Sequence, residues 1–173
     1  LRGVTLNERL LCVHFPAPPA NAESAAAEVA DGVSMDELTN REQYDLTTMQ
    51  GTCASCHTQI NPMGYALENF DTMGRFQTEE RGMPIDGSAT LPGLDATVSG
   101  GAEMMQSLAA SPTVHDCAAR HALRFATGGS QLENDDGFRG ELAEAIGSGV
   151  SLGDIATRIA TDPRFARILP EGS

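Results

Sequence analysis

Residues 51–76 read GTCASCHTQINPMGYALENFDTMGRF, and the run from Cys53 to His57 decides how the rest of the chain is read. C-x-x-C-H is the pattern by which a porphyrin is attached covalently to a polypeptide. Two thiols three positions apart, on one helical turn, can add to the two vinyl groups of the ring as thioethers. The next residue, His57, then supplies the proximal nitrogen to the iron. Paired cysteines serve two other chemistries. A thioredoxin-like pair calls for a βαβ setting, and no such pattern surrounds this stretch. Half of a zinc site calls for a second pair at similar spacing, which Cys12 and Cys117 do not make. The pattern therefore predicts one haem c, bound through Cys53, Cys56 and His57.

Working upstream, Ser34 with Glu37 and Thr39 with Glu42 form overlapping capping-box patterns. They predict a helix running to about Met49 and broken by Gly51. Before it, Leu6 to Val13 is apolar and reads as a helix, stopped by Pro16, Pro18 and Pro19. The segment from Ala20 to Gly32 is alanine-rich with scattered acids and reads as a surface linker. Downstream, Met63, Leu67 and Phe70 recur at helical spacing and predict one short element. Asp71 to Gly101 is rich in glycine and proline, has no sustained period, and reads as a long irregular loop. Helices are predicted over Gly101 to Ala110, from Ser111-Pro112 to near Gly128-Gly129, over Asp136 to Ile146, and from Ser151 to Ala160, where Asp162-Pro163 closes the last. No segment alternates convincingly, so the architecture expected is mostly α.

The chain has 173 residues, a formal net charge of -13, 5% aromatics and no tryptophan, so a cofactor with a large apolar face would supply core that the side chains do not. So acidic a surface repels nucleic acid and anionic lipid and favours cationic or neutral partners. No apolar run approaches the roughly 20 residues needed to cross a bilayer. With Leu1 at its start and no visible signal peptide, the chain reads as a mature product or as a fragment of something longer. Covalent haem attachment implies export, periplasmic or otherwise, and in that setting Cys12 and Cys117 are expected to form a disulfide. The alternative is a Cys2His2 zinc site with His14 and His121, since positions 117 and 121 share one helix face. Asp86, Asp95, Asp135 and Asp136 match no calcium-loop spacing and read as solvated acids.

The stretch from Cys53 to Arg75 resembles the cytochrome-like domains near the C-terminus of large exported proteins in planctomycetes and myxobacteria. Those domains read CxxCH, then D/N-P-x-G-F-A-x-E-x-F-D-x-x-G-R. The resemblance extends to Leu10-Leu11-Cys12 before the prolines, to Arg41-Glu42, to Pro84-Ile85-Asp86, and to Cys117 with Arg124-Phe125-Ala126. This chain departs from the pattern at Thr47, where many such domains carry a histidine, and at Gly128-Gly129, where they have Gly-Arg. The resemblance implies a cytochrome c-like helical domain with long loops around one covalent haem. On that reading residues 1–33 are an N-terminal helix and Pro/Ala-rich linker, 34–110 the haem-binding core, and 111–173 C-terminal helices of the same domain.

Several residues near the motif are candidates for holding the haem. Arg75 can form bidentate pairs with a propionate, or pair at the surface with Glu68 or Asp71. A carbonyl near Pro62 can accept from the His57 ring N–H, as the groups behind iron ligands do. Tyr65, Leu67 and Phe70 are expected to pack against the porphyrin. For the sixth iron position the expected ligand is Met83, in Gly82-Met83-Pro84, which looks like the ligand loop of small class I cytochromes. Met49 is the runner-up, and His14, His115 and His121 are the histidine options. The function expected is electron transfer to a redox partner protein or a neighbouring domain of a larger chain. The alternative is a haem enzyme or sensor whose sixth position is open to oxygen, peroxide or a small gas.

Overall fold

The structure, a computed structural model, describes residues 1–129 and 134–166, so the last residues of the segment 111–173 lie outside it. It is mostly helical. Helices α1 (Arg2–Leu10), α2 (Ala22–Ala30), α3 (Asn40–Thr48) and α4 (Ala54–Tyr65) precede two small hairpins, β1–β2 (Glu79–Glu80, Met83–Pro84) and β3–β4 (Ser88–Leu91, Ala96–Ser99). Then come α5 (Gly101–Ala109), α6 (Pro112–Thr127), α7 (Asp136–Gly147), α8 (Leu152–Thr161) and the single turn α9 (Pro163–Ala166). The chain forms two compact units. One comprises Leu1–Arg9 and Val13–Ser107, the other Leu10–Cys12 and Leu108–Ser173.

In the first unit the helix before the motif opens as its sequence dictates. The Thr39 hydroxyl accepts from the Glu42 N–H at 3.2 Å, and the Glu42 carboxylate accepts from the Thr39 N–H at 2.8 Å, closing the capping box. The Ser34 pattern yields only a 3-10 turn, Met35–Glu37. Helix α4 begins at the cysteine motif and runs through Pro62, which lacks an N–H but does not stop the helix. The apolar spacing from Met63 onward is thus the C-terminal part of a helix that starts nine residues earlier, at Ala54, and turns after Tyr65. Ala20 to Gly32, read as a surface linker, is helical over most of its length. It holds α2, whose alanines form a helix without burying a residue, because alanine has the highest helix propensity of all.

The segment expected to be irregular contains both hairpins. In β3 and β4 the side chains of Ala89, Leu91 and Val98 are buried while Thr90 and Thr97 face out, an alternation too short to stand out in sequence. The register pairs Ala89 with Val98, and Gly93 and Asp95, both at positive φ, turn the chain between the strands. β3 packs on α4. Met63, Tyr65, Ala66, Leu91 and Met104 complete the buried centre of this unit.

The second unit is a helical cluster. Ala119, Leu123, Phe138, Leu142, Ala145, Ile155 and Ile159 from α6, α7 and α8 form its core. Gly128, at φ 66°, ends α6 in the left-handed conformation that glycine adopts without strain. Ser151 caps α8 by accepting from the Asp154 N–H at 3.2 Å. Cys12 and Cys117 are joined by a disulfide, with Cα atoms 5.5 Å apart. His121 Nε2 lies 3.7 Å from Cys12 Sγ, so these three side chains cluster. The bridge occupies both sulfurs that the zinc alternative would need.

Candidate functional site

The site is built on α4. Cys53 sits at the helix N-cap, and its carbonyl accepts from the N–H groups of Cys56 and His57 at 3.3 and 3.1 Å. That hydrogen bonding winds both cysteines and the histidine into one turn. Neither Cys53 nor Cys56 is bridged, and both are partly accessible. His57 Nδ1 is 2.8 Å from Asn61 Oδ1, one helical turn on, which leaves Nε2 as the ring nitrogen available to a metal. The Asn61 amide in turn donates to the Thr48 hydroxyl of α3 at 2.9 Å.

A cavity of about 710 Å³ opens on the same face of α4. Its lining includes His57, Ile60, Asn61, Gly64 and Tyr65, the i, i+3, i+4, i+7, i+8 stripe of a single helix face, with Glu68 in the turn that follows. Tyr44 of α3, Phe70, and Arg2 and Gly3 of α1 stand across from it, with Arg81 at the β1–β2 turn. Two aromatic rings of this lining are left open to solvent: Tyr44 is 53% exposed and Phe70 37%. The volume falls in the range of cofactor pockets, roughly 300–1,000 Å³. Half-open aromatic walls, a histidine with one free nitrogen and two unbridged thiols on the adjoining turn suit an attached porphyrin. The residues present fit the group.

The electrostatics of the lining are mixed. Arg2 donates to the carbonyls of Leu67 and Asp71 at 2.7 and 2.8 Å, holding the chain that leaves α4. Arg81 donates to the carbonyls of Leu38 and Met35. Burial, and then the nearby Glu80 carboxylate, push the Glu68 carboxyl above its ordinary range. Tyr65 is 6% exposed and its hydroxyl donates to Asp45 at 2.6 Å, so burial and that carboxylate raise the phenol.

The expected site residues are distributed unevenly about this cavity. His57, Tyr65 and Phe70 line it. Cys53 and Cys56 lie on the adjoining turn of α4. Pro62 is inside that helix and its carbonyl accepts from the Ala66 N–H at 3.3 Å. Leu67 packs toward Gly101. Arg75 pairs with Asp71, Nε to Oδ2 at 2.7 Å, with its side chain 80% exposed; the Arg75 N–H and then its guanidinium hold the Asp71 carboxyl below its usual range. Met83 lies in β2, opposite Glu80, and is not a lining residue. Nor are Met49, His14, His115 and His121. Asp86 is tied to Arg41 at 3.0 Å and to the Ser88 N–H at 2.9 Å. Asn61, Tyr44 and Arg2 were missed by sequence reasoning. Only Asn61 carried a signal, its i+4 spacing from His57.

A family model described as PSCyt3, protein of unknown function (DUF1588), matches residues 1–80. The matched segment holds the cysteine motif, Asn61 and every lining residue of the cavity except Arg81. The family's name is cytochrome-like. No curated protein and no solved structure matches the chain.

Proposed function

We propose that this chain is a c-type cytochrome domain that transfers electrons through one covalent haem. Cys53 and Cys56 are its thioether anchors and His57 its proximal ligand. The observation that carries the reading is the His57 ring, with Nδ1 engaged by Asn61, lining a cavity of about 710 Å³, and the two unbridged thiols of Cys53 and Cys56, which do not line it, at the start of the same helix. Haem bound there supplies one-electron chemistry between ferrous and ferric iron. The chain's own residues do the rest. Ile60, Tyr65 and Phe70 would give the ring apolar contact, and Arg2 and Arg81, beside Glu68, Asp71 and Glu80, are the cationic lining residues that could pair with its propionates. With a formal charge of -13, the partner is a cationic redox protein or a neighbouring domain, and docking weakens as salt rises. The disulfide between Cys12 and Cys117 suits an exported, periplasmic-type setting.

A specific observation favours a second reading. The lining of this cavity contains no methionine and no histidine besides His57. An iron there would keep an open sixth position for oxygen, peroxide or a small gas. Met83 is not a lining residue, although Glu80, its partner across the β1–β2 hairpin, and Arg81 are. Optical and magnetic spectra of the ferric protein and of Met83→Ala separate the two. A low-spin wild type that turns high-spin on substitution assigns Met83 and supports the electron carrier. A high-spin wild type supports the open site.

A further inference from the structure

We propose that Asn61 is the residue that makes His57 an iron ligand, by dictating which ring nitrogen carries the proton. The inference rests on the haem reading above and concerns the group behind the ligand. An asparagine amide and a histidine ring are each ambiguous alone, and the hydrogen bonds around them decide their orientation. The chain of bonds starts at α3. The Thr48 hydroxyl has one hydrogen and gives it to the Tyr44 carbonyl, which can only accept. Thr48 Oγ1 is therefore the acceptor toward Asn61, and the amide must point its Nδ2 at Thr48, 2.9 Å away. The amide so turned offers Oδ1 to His57, at 2.8 Å. Only Nδ1–H satisfies that oxygen, so Nε2 is left with its lone pair.

Burial favours this direction. Asn61 is 7% exposed, so water has little access to repair a reversed amide, which would face the Thr48 oxygen with Oδ1 and draw its hydrogen away from the Tyr44 carbonyl. The device crosses from the C-terminal turn of α3 to Asn61 in the second half of α4 and back one turn to His57, so packing of the two helices sets the ring's tautomer and orientation. It also sets the strength of donation. A neutral amide accepts weakly from Nδ1–H, whereas a carboxylate would make the imidazole more basic and favour ferric iron. Asn61 thus acts as a positioning residue that biases the couple toward the ferrous side.

The test uses the haem-loaded protein, held at a fixed ambient potential, with the ferric-to-ferrous ratio read optically. Asn61→Asp should shift that ratio toward ferric about tenfold or more, about 59 mV for a one-electron couple. Thr48→Val frees the amide and should also move the ratio and the ferric magnetic spectrum, while Thr48→Ser should leave both as in wild type. An Asn61→Asp protein with attached haem and an unchanged ratio overturns the proposal, as does a Thr48→Val protein indistinguishable from Thr48→Ser. Should Asn61→Asp fail to fold, the Thr48 pair decides. Nitrogen NMR of the haem-free chain separates this inference from the haem reading. A proton on Nδ1 of His57 that moves to Nε2 in Asn61→Leu supports it even if no haem attaches, and a proton on Nε2 in wild type overturns it.

Discussion

Glu68 faces the cavity three residues beyond Tyr65, and burial opposes its charge more than Arg2 and Arg41 favour it. Its folded carboxyl therefore titrates above the ordinary value of 4.5. Between those two values the folded state holds a proton that the unfolded state has lost. Stability consequently falls as pH rises through this window and stays reduced above it. Glu68→Gln should raise the melting temperature near neutral pH, with the gain shrinking as the pH drops through the folded pKa. A gain of the same size at every pH would contradict this account. At the residue scale the sequence exposed the motif plainly, since Cys53, Cys56 and His57 need only each other to be read. Asn61 was less visible, because an asparagine beside Pro62 reads as a turn until the helix is seen to continue through it. Met83 stood out as a Met-Pro pair, yet whether a loop residue reaches a cavity depends on hairpin geometry that no local pattern encodes.

Between elements, α1 approaches α4 closely at Gly3. A Cβ on Gly3 would fall inside the contact radius of the Ile60 carbonyl oxygen, a backbone atom that cannot swing away. Asn7 secures the same crossing, its amide donating to Gln59 O at 3.2 Å while 2% exposed. Gly3→Ala should thus cost about 1–3 kcal/mol, as forced overpacking does. Urea unfolding at equilibrium would measure it, and a change within about 0.3 kcal/mol would show that the crossing yields freely. Helices were legible where caps and punctuation agree, at Thr39 with Glu42, Ser111 with Pro112, and Ser151. The hairpins were not, because β1 and β2 have two residues each and β3 and β4 four, too few to display a period. The helix α2 was hidden because it buries no residue, and its alanines favour the helix by propensity.

For the molecule as a whole, the mostly-α class followed from the spacing of apolar residues, while the division into two units did not. That division depends on Leu10–Cys12 joining the helices from Leu108 onward, a contact between distant segments. The disulfide fixes this arrangement covalently, across a separation of 105 residues. Reduction, or Cys12→Ser with Cys117→Ser, should lower stability by about 2–5 kcal/mol in the chain-entropy view, and by less once covalent haem restrains the unfolded chain. Thiol labelling of the unfolded protein should find these two cysteines unreactive before reduction, and free labelling would dissolve the bridge. Among the described residues no helix is long and apolar enough to cross a membrane. The central claim is the covalent haem. Its most direct measurement is the intact mass of this chain, produced in cells that attach haem c, after acid–acetone extraction. The account predicts that the colour stays with the polypeptide, that the mass exceeds the 18.2 kDa chain by one haem, and that Cys53→Ser with Cys56→Ser abolishes both. Haem recovered in the organic phase, or a polypeptide mass with nothing added, would contradict it.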